Sequence, residues 1–189
     1  MNADPHPWSH SLPALYQEVW TRLQRGIHDR RAAARHPTLA TVCPDGRPRA
    51  RTVVLRRADK AEGSLSIYTD LRSGKIADLQ KTAWAELHVW DSAAHLQFRM
   101  TAQARIITGQ DVAAVWDRMP DHARLAYGGT PAPGASIDTA LDYDKTPSQA
   151  AFAVLHLSVE SIESLYLGRA HKRALFRRDD DWTGRWLAP

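Results

Sequence analysis

Short β-prone segments separated by turn residues dominate this chain and constrain its fold more than any other feature. Thr38–Val42 precedes the turn sequence Pro44-Asp45-Gly46, and residues 48–57 then return, which predicts a β-hairpin. Further strands are predicted over 64–69, 84–90, 96–107, 151–159, 161–167, 171–177 and, more briefly, around 182–187. Strands joined mostly as hairpins favour an antiparallel barrel or sandwich over a doubly wound parallel sheet.

Helical periodicity is confined to a few segments. Apolar residues spaced along one face predict a helix over residues 12–35, with Ser11 as its N-cap and Pro37 as its stop. Short helices are predicted over 73–81, 111–119 and 121–127. Residues 128–149 are rich in glycine and proline and are expected to form a flexible loop. The 189 residues are therefore expected to form one domain, with 1–35 as an N-terminal helical segment.

The charge of the chain narrows the classes of partner. Lys and Arg number 25 against 21 Asp and Glu, a net charge of +4, and most of the basic residues are arginines. Arginine suits bidentate recognition of phosphate, so nucleic acid and a small phosphorylated ligand both remain possible at this point.

Cys43 has no partner for an internal disulfide, and no zinc-type Cys/His spacing predicts a metal site. Without a long apolar run or a signal-peptide start, a cytoplasmic protein with no membrane partner is expected.

Two stretches combine basic residues with the ends of predicted elements. Arg51 and Arg56 begin and end one β-prone segment, where each could contact an anion. Ser73 and Lys75 open a predicted helix, whose free N–H groups and dipole favour an anion. Taken singly, the first also fits a solvated edge strand and the second an ordinary capped helix.

A third basic stretch lies near the end of the chain. Arg169, His171 and Arg173 would share one face of an extended strand, where they repel one another unless an anion lies among them. Alone, this stretch also fits a hairpin turn with solvated side chains. Together the three stretches indicate a phosphate-bearing small ligand rather than the continuous basic stripe of a nucleic-acid-binding protein.

In their order along the chain, these motifs resemble those of the pyridoxamine 5′-phosphate oxidase family and, more broadly, of FMN-binding split β-barrel proteins. The resemblance runs from about residue 36 to 189 through Arg-x-Val-x-Leu-Arg, Tyr-Thr, Ser-x-Lys, a strand Gln, Arg-x-His-x-Arg and a terminal Trp…Leu-Ala-Pro. It implies a mainly β fold, an antiparallel split β-barrel with an N-terminal helix and short peripheral helices. It also implies FMN as cofactor and a homodimer with FMN at the subunit interface.

The resemblance assigns roles to individual residues. Arg51 and Lys75 would hold the FMN phosphate, and Gln97 would reach the flavin from the other subunit. Arg169 and His171 match the pair that faces the substrate in the oxidase and are the expected catalytic residues. The other residues that the resemblance places at the cofactor are Thr52, Val53, Val54, Leu55, Arg56, Tyr68, Thr69, Ser73 and Arg173.

This sequence departs from the oxidase pattern mainly on the substrate side. Gly74 stands where the oxidase has a second basic residue, and residues 115–123 offer no Tyr or Ser, so Arg118 or Arg124 would have to contact the substrate phosphate. The leading hypothesis is an FMN-dependent oxidoreductase that takes a hydride from a small, possibly phosphorylated amine or alcohol, with reoxidation by oxygen. The alternatives are an FMN-binding protein or flavin reductase without vitamin B6 oxidase activity, and a basic nucleic-acid-binding module. Replacement of FMN by deazaflavin also stays open.

Overall fold

The computed structural model describes residues 5–189, and within them nine strands form one sheet in which every pairing is antiparallel. This confirms the predicted mainly β, antiparallel fold. The strands are β1 Thr38–Val42, β2 Pro48–Thr52, β3 Leu55–Asp59, β4 Ser64–Asp70, β5 Trp84–Asp91, β6 Leu96–Ile107, β7 Phe152–Tyr166, β8 Lys172–Arg177 and β9 Arg185–Leu187.

The strand order requires the sheet to curl into a barrel that stays open between its two edge strands. Along the path β2-β1-β5-β6-β7-β4-β3, the two end strands are consecutive in sequence and joined only through Val53 and Val54. A flat sheet of this width would hold its edges about 29 Å apart. The connection from Thr52 to Leu55 can span only about 10 Å. The sheet must therefore curl, and because β2 and β3 do not pair with each other, the result is a split barrel.

Two predicted strand boundaries are wrong. The segment 48–57 is not one return strand, because it leaves β1 after Thr52 and pairs with β4 from Leu55 onward. Conversely, the segments 151–159 and 161–167 form one long strand, β7. Its ladder with β6 shifts register between Thr101 and Ala102. The polar residues between the two predicted strands therefore form an irregularity within β7 and do not end the strand.

The N-terminal helix, α1, covers Leu12–His28 and ends seven residues before the predicted boundary. At its start, the Ser11 hydroxyl accepts a hydrogen bond from the Ala14 N–H at 3.5 Å, as predicted for an N-cap. At its end, Asp29 takes up an extended conformation, and its carboxylate binds the Arg25 guanidinium at 2.7 Å. The other helices are α2 Gly74–Lys81, α3 Ala113–Asp117 and α4 Asp121–Arg124.

Two clusters of buried side chains support the functional region. The larger fills the barrel and receives the apolar face of α1 through residues that include Leu15, Val19 and Leu23. The smaller lies under α3 and α4 and joins Trp116 and Tyr127 to Phe152 of β7. Residues 128–149 form a loop that carries an isolated bridge between residues 130 and 144. None of the helices in the described part of the chain is long and apolar enough to span a bilayer.

Candidate functional site

One end of the barrel gathers basic and hydroxyl side chains from β2, the end of β4 and the start of α2. The Lys75 ammonium donates to the Thr69 hydroxyl at 2.9 Å and to the Ser73 hydroxyl at 3.1 Å. Ser73 is the N-cap residue of α2, yet its hydroxyl does not cap the helix backbone and instead faces Lys75. We call this group the basic cradle, and its members are Arg49, Arg51, Thr69, Ser73 and Lys75.

A buried carboxylate holds the arginines of the basic cradle. Asp78 of α2 is fully buried and accepts a hydrogen bond from the Thr41 hydroxyl at 2.7 Å. The guanidinium groups of Arg49 and Arg51 each lie 3.3 Å from an Asp78 oxygen. Arg51 also donates to the Thr41 hydroxyl at 2.7 Å. Because the Asp78 and Thr41 side chains are buried, they fix the direction in which the two arginines point.

The basic cradle carries more positive charge than the surrounding protein neutralises. Within residues 5–189, Arg49, Arg51 and Lys75 face Asp78, while the nearby Asp70 is paired with Arg72 at 2.7 Å. Burial, together with repulsion from Arg51, lowers the pKa of Lys75. A net charge of about +2 matches a phosphate monoester, which carries roughly −1.5 to −2 at neutral pH. The donor set therefore fits a phosphate group.

A cavity of about 330 Å³ is lined by Tyr68, the residue before Thr69 of the basic cradle on β4, and by several basic side chains. The Arg56 guanidinium lies 5.5 Å from the centre of the Tyr68 ring. Its Nε is buried and lacks a hydrogen-bond partner among the described residues. The cavity, which we call the Arg56 cavity, is also lined by Arg35, Arg118 and His122.

The structure separates the two arginines that could replace the missing substrate residues. Arg124 donates to the carbonyl oxygens of Trp116 at 3.1 Å and Asp117 at 2.9 Å, so it caps the end of α3. Arg118 lines the Arg56 cavity instead. Of the two candidates, Arg118 is therefore the one placed to meet a ligand.

The backbone between β2 and β3 lies at the opening of the barrel. Thr52 ends β2 and is exposed, whereas the Val53 and Leu55 side chains are buried in the core. Val53 donates its N–H to the Pro37 carbonyl at 3.0 Å, and Val54 lies outside both ladders. This segment can offer a ligand its backbone groups and the outward side chains, but not the side chains of Val53 and Leu55.

Gln97 and Arg51 lie on opposite faces of the sheet. Gln97 stands between Leu96 and Phe98, both fully buried, so it projects from the outer face. Arg51 is paired with the buried Leu39 and therefore points inward. Within one chain, the structure does not bring Gln97 to the basic cradle.

The basic stretch near the end of the chain is arranged differently from the expectation. Strand β8 begins at Lys172, so Arg169 and His171 lie in the preceding turn and the predicted sharing of one face with Arg173 does not arise. Arg169 lines a separate cavity of about 780 Å³. Arg173 lies on β8 and pairs with Glu163 at 3.0 Å. In one chain, these residues do not line the Arg56 cavity.

Comparison with known proteins decides what this arrangement belongs to. Residues 17–108, which include the basic cradle, Tyr68 and Gln97, match the family model described as pyridoxamine 5′-phosphate oxidase, FMN-binding domain. The segment 17–108 belongs to the pyridoxamine 5′-phosphate oxidase-related family. FMN is the cofactor that this domain binds, and the phosphate-fitting cradle lies within the matched segment.

Named relatives agree with this family. The pyridoxine/pyridoxamine 5′-phosphate oxidase of Gloeothece citriformis is 35% identical over 88 residues, which span 47% of this chain and 40% of that relative. The enzyme named pyridoxine/pyridoxamine 5′-phosphate oxidase 2 of Arabidopsis thaliana is 28% identical over 87% of this chain and 91% of its own length.

Solved structures extend the likeness over the whole chain. A pyridoxamine 5′-phosphate oxidase-related, FMN-binding protein of Nostoc punctiforme superposes with a TM-score of 0.74 at 28% identity and covers 100% of both chains. PhzG of Burkholderia lata superposes with a TM-score of 0.73 over 99% of this chain and 98% of its own, and at 17% identity this shows the fold alone.

Sequence reasoning missed one member of the basic cradle, Arg49, and the buried carboxylate that holds it, Asp78. Arg49 precedes Arg51 by two residues, so the period of a strand could have placed both on one face. Asp78 had no such signal, because an acidic residue in a short helix is usually solvated. Only the packing of α2 against β1 shows that its carboxylate is buried beside two arginines.

Proposed function

We propose that this protein is an FMN-dependent oxidoreductase that acts on a small anionic substrate. The excess positive charge of the basic cradle carries this proposal, because it matches the phosphate of the cofactor that the family binds. When bound, FMN would supply two-electron redox chemistry, by which the hydride and the proton lost by the substrate would both end on oxygen as hydrogen peroxide.

The protein's own residues bind and orient in this proposal. Arg51 and Lys75 hold the phosphate by charge, and the hydroxyls of Thr69 and Ser73 keep the Lys75 ammonium in place. The backbone at residues 53–54 faces the opening of the barrel and offers polar groups to the ring system. The Arg56 guanidinium, which lies over Tyr68 and lines the cavity, offers its positive charge to an anionic group of the ligand.

The Arg56 cavity is the proposed substrate site. Arg35, Arg56 and Arg118 give it a positive potential suited to a phosphate or carboxylate. Arg35 already binds the Ile27 carbonyl at 2.6 Å, so Arg118 is the more available anion contact. The substrate class proposed here is therefore a small molecule with one anionic group, of which pyridoxamine 5′-phosphate is the first to test.

An assay under air tests the oxidase reading. The FMN-loaded protein is given pyridoxamine 5′-phosphate, and both pyridoxal phosphate and hydrogen peroxide are measured. We expect Arg118→Ala to raise KM about tenfold, because a charged hydrogen bond to the substrate is lost, with FMN affinity unchanged. Asp117→Ala is the matched control on the adjoining residue. A protein that binds FMN but forms neither product would contradict the oxidase activity.

One observation favours the second candidate, an FMN-binding protein or flavin reductase without vitamin B6 oxidase activity. The part of the Arg56 cavity formed by residues 115–123 presents Val115, Met119, Pro120 and Ala123 beside Arg118 and His122, with no hydroxyl side chain. Oxidation of NADH or NADPH by the FMN-loaded protein, in the absence of turnover of pyridoxamine 5′-phosphate, would support this candidate.

A homodimer is part of the proposal, because the resemblance assigns Gln97 to the flavin of the other subunit. Gln97 projects from the outer face of the sheet, away from the basic cradle of its own chain. On the same face of neighbouring β5, Trp84 and Trp90 are 46% and 43% exposed and alternate with buried residues. Exposed aromatic side chains of this size favour a protein interface. In the proposed dimer, these faces of the two subunits form the interface, and Gln97 of one subunit contacts the cofactor of the other.

We expect light scattering to give a mass near twice the 21.2 kDa of the chain. The variant Trp90→Glu should shift this mass toward the monomer and weaken FMN binding at the same time, since both depend on the same face. Leu141→Glu, at an 81% exposed position in the loop 128–149, serves as the control and should change neither. A monomeric wild-type protein would contradict the proposed dimer. A monomeric Trp90→Glu variant that binds FMN as tightly as the wild type would contradict a cofactor site shared between subunits.

A further inference from the structure

The first residue of α2 leaves space in the basic cradle, and an arginine from another element lies beside that space. Gly74 has no side chain, and a Cβ placed on it would lie 3.6 Å from Nη1 of Arg49. No positive φ requires a glycine here, so the backbone would accept a side chain. The guanidinium of Arg49 on β2 therefore borders the volume that a long basic side chain at position 74 would enter from the helix.

Asp78 and the strand period hold Arg49 in this position. Arg49 and Arg51 are two residues apart on β2, so their side chains leave the same face of the strand. The Arg49 guanidinium lies 3.3 Å from Asp78 Oδ1, and that of Arg51 lies 3.3 Å from Oδ2. The buried carboxylate thus holds the two arginines side by side. Half of the Arg49 side chain remains exposed, which leaves donors free to meet a ligand.

The charge balance of the site indicates that Arg49 contributes to phosphate binding as well as pairing with Asp78. Without Arg49, the charges of Arg51 and Lys75 would be offset by Asp78 to about +1, which is too little for a phosphate monoester of roughly −1.5 to −2. With Arg49 the balance reaches about +2. Thr41 and Arg51 already bind Asp78 Oδ2, so Asp78 needs Arg49 only at Oδ1, which one guanidinium nitrogen reaches at 3.3 Å, and the other donors of Arg49 are left for a ligand.

We propose that Arg49 is a phosphate-binding residue of the FMN site and supplies from β2 the second guanidinium contact that Gly74 cannot supply from α2. This inference rests on the FMN-dependent function proposed above. The opposing interpretation is that Arg49 only neutralises Asp78 and never touches the cofactor. The two interpretations differ in whether the loss of Arg49 is felt through the phosphate of the ligand.

The test compares FMN with riboflavin, which lacks the phosphate, by titration of the apoprotein with fluorescence detection. We expect Arg49→Ala to weaken FMN binding about tenfold and to leave riboflavin binding unchanged, since one charge-assisted contact is removed. Arg47→Ala is the matched control, because Arg47 lies on the same hairpin, is largely exposed and pairs with Asp45. It should change neither affinity.

A second variant tests the exchange between the two elements. Adding Gly74→Arg to Arg49→Ala should restore most of the lost FMN affinity, because the new guanidinium enters the same volume from α2. Equal weakening of FMN and riboflavin by Arg49→Ala, or unchanged FMN affinity, would overturn the assignment. Unmeasurable binding of FMN to the wild type would instead overturn the proposed function itself, so the two failures are distinct.

Discussion

Replacing Lys75 with methionine is expected to weaken FMN binding by about 10- to 100-fold while the apoprotein keeps or gains stability. The loss follows from removing a charged donor to the phosphate, which is worth about 1.5–3 kcal/mol. The gain follows because Lys75 is partly buried beside Arg51, so its charge is unfavourable when no anion is bound. Titration with FMN and urea unfolding of the apoprotein measure the two effects separately. Lys81→Met, in the last turn of the same helix, is the control.

Lys75 should also make FMN affinity fall at alkaline pH. In the apoprotein, burial and Arg51 lower the pKa of Lys75 from its usual 10.5. A bound phosphate favours the charged ammonium and raises that pKa again. FMN affinity is therefore fully present below the lowered pKa of the apoprotein and falls as the pH rises from there toward the higher pKa of the complex. Lys75→Met should lack this alkaline loss of affinity, and an identical loss in the variant would show that another group is responsible.

Asp78→Asn is expected to lower the free energy of unfolding by about 2–3 kcal/mol. Removing one partner of a buried ion pair usually costs about 3–5 kcal/mol, and partial solvation of Arg49 and Arg51 reduces that cost here. For a chain of this length, the loss corresponds to a fall in Tm of roughly 4–12 °C. Chemical and thermal unfolding of the apoprotein measure it.

The control for this variant is Asp121→Asn. Asp121 also pairs with an arginine, Arg124 at 3.3 Å, but its side chain is 99% exposed. Such surface pairs contribute about 0–1 kcal/mol, so the control should unfold like the wild type. If Asp78→Asn were as stable as Asp121→Asn, the buried carboxylate would not organise the basic cradle.

The sequence carries the fold class because its turn chemistry and strand periods are local. The Pro-Asp-Gly turn and the alternation in β5 and β6 are local signals, and the structure places strands there with nearly the predicted bounds. The opening of the barrel was not predictable in this way. Val53 and Val54 are ordinary strand residues, and only the pairing partners on either side make them a crossing between sheet edges. The prediction of two strands in place of β7 is wrong for the same reason, since the register shift of β7 depends on its pairing with β6.

For the candidate site, local motifs pointed to part of the cradle. Arg51, Ser73 and Lys75 stand at element ends, where sequence reasoning looks for anion contacts, and the structure brings them together. Asp78 depends on how α2 packs against β1, which no local pattern reports. The roles expected for Gln97, Arg169 and His171 stay predictions, because one chain cannot bring them to the basic cradle.

The most direct test of this account is a titration of the purified apoprotein with FMN and, separately, with riboflavin, followed by flavin fluorescence and the visible spectrum. We expect one FMN to bind per chain, with an affinity at least about 100-fold higher than that for riboflavin, because several charged side chains contact the phosphate. Equal affinities for the two flavins, or no binding of FMN, would contradict the assignment of the basic cradle as the phosphate site of an FMN-binding split barrel.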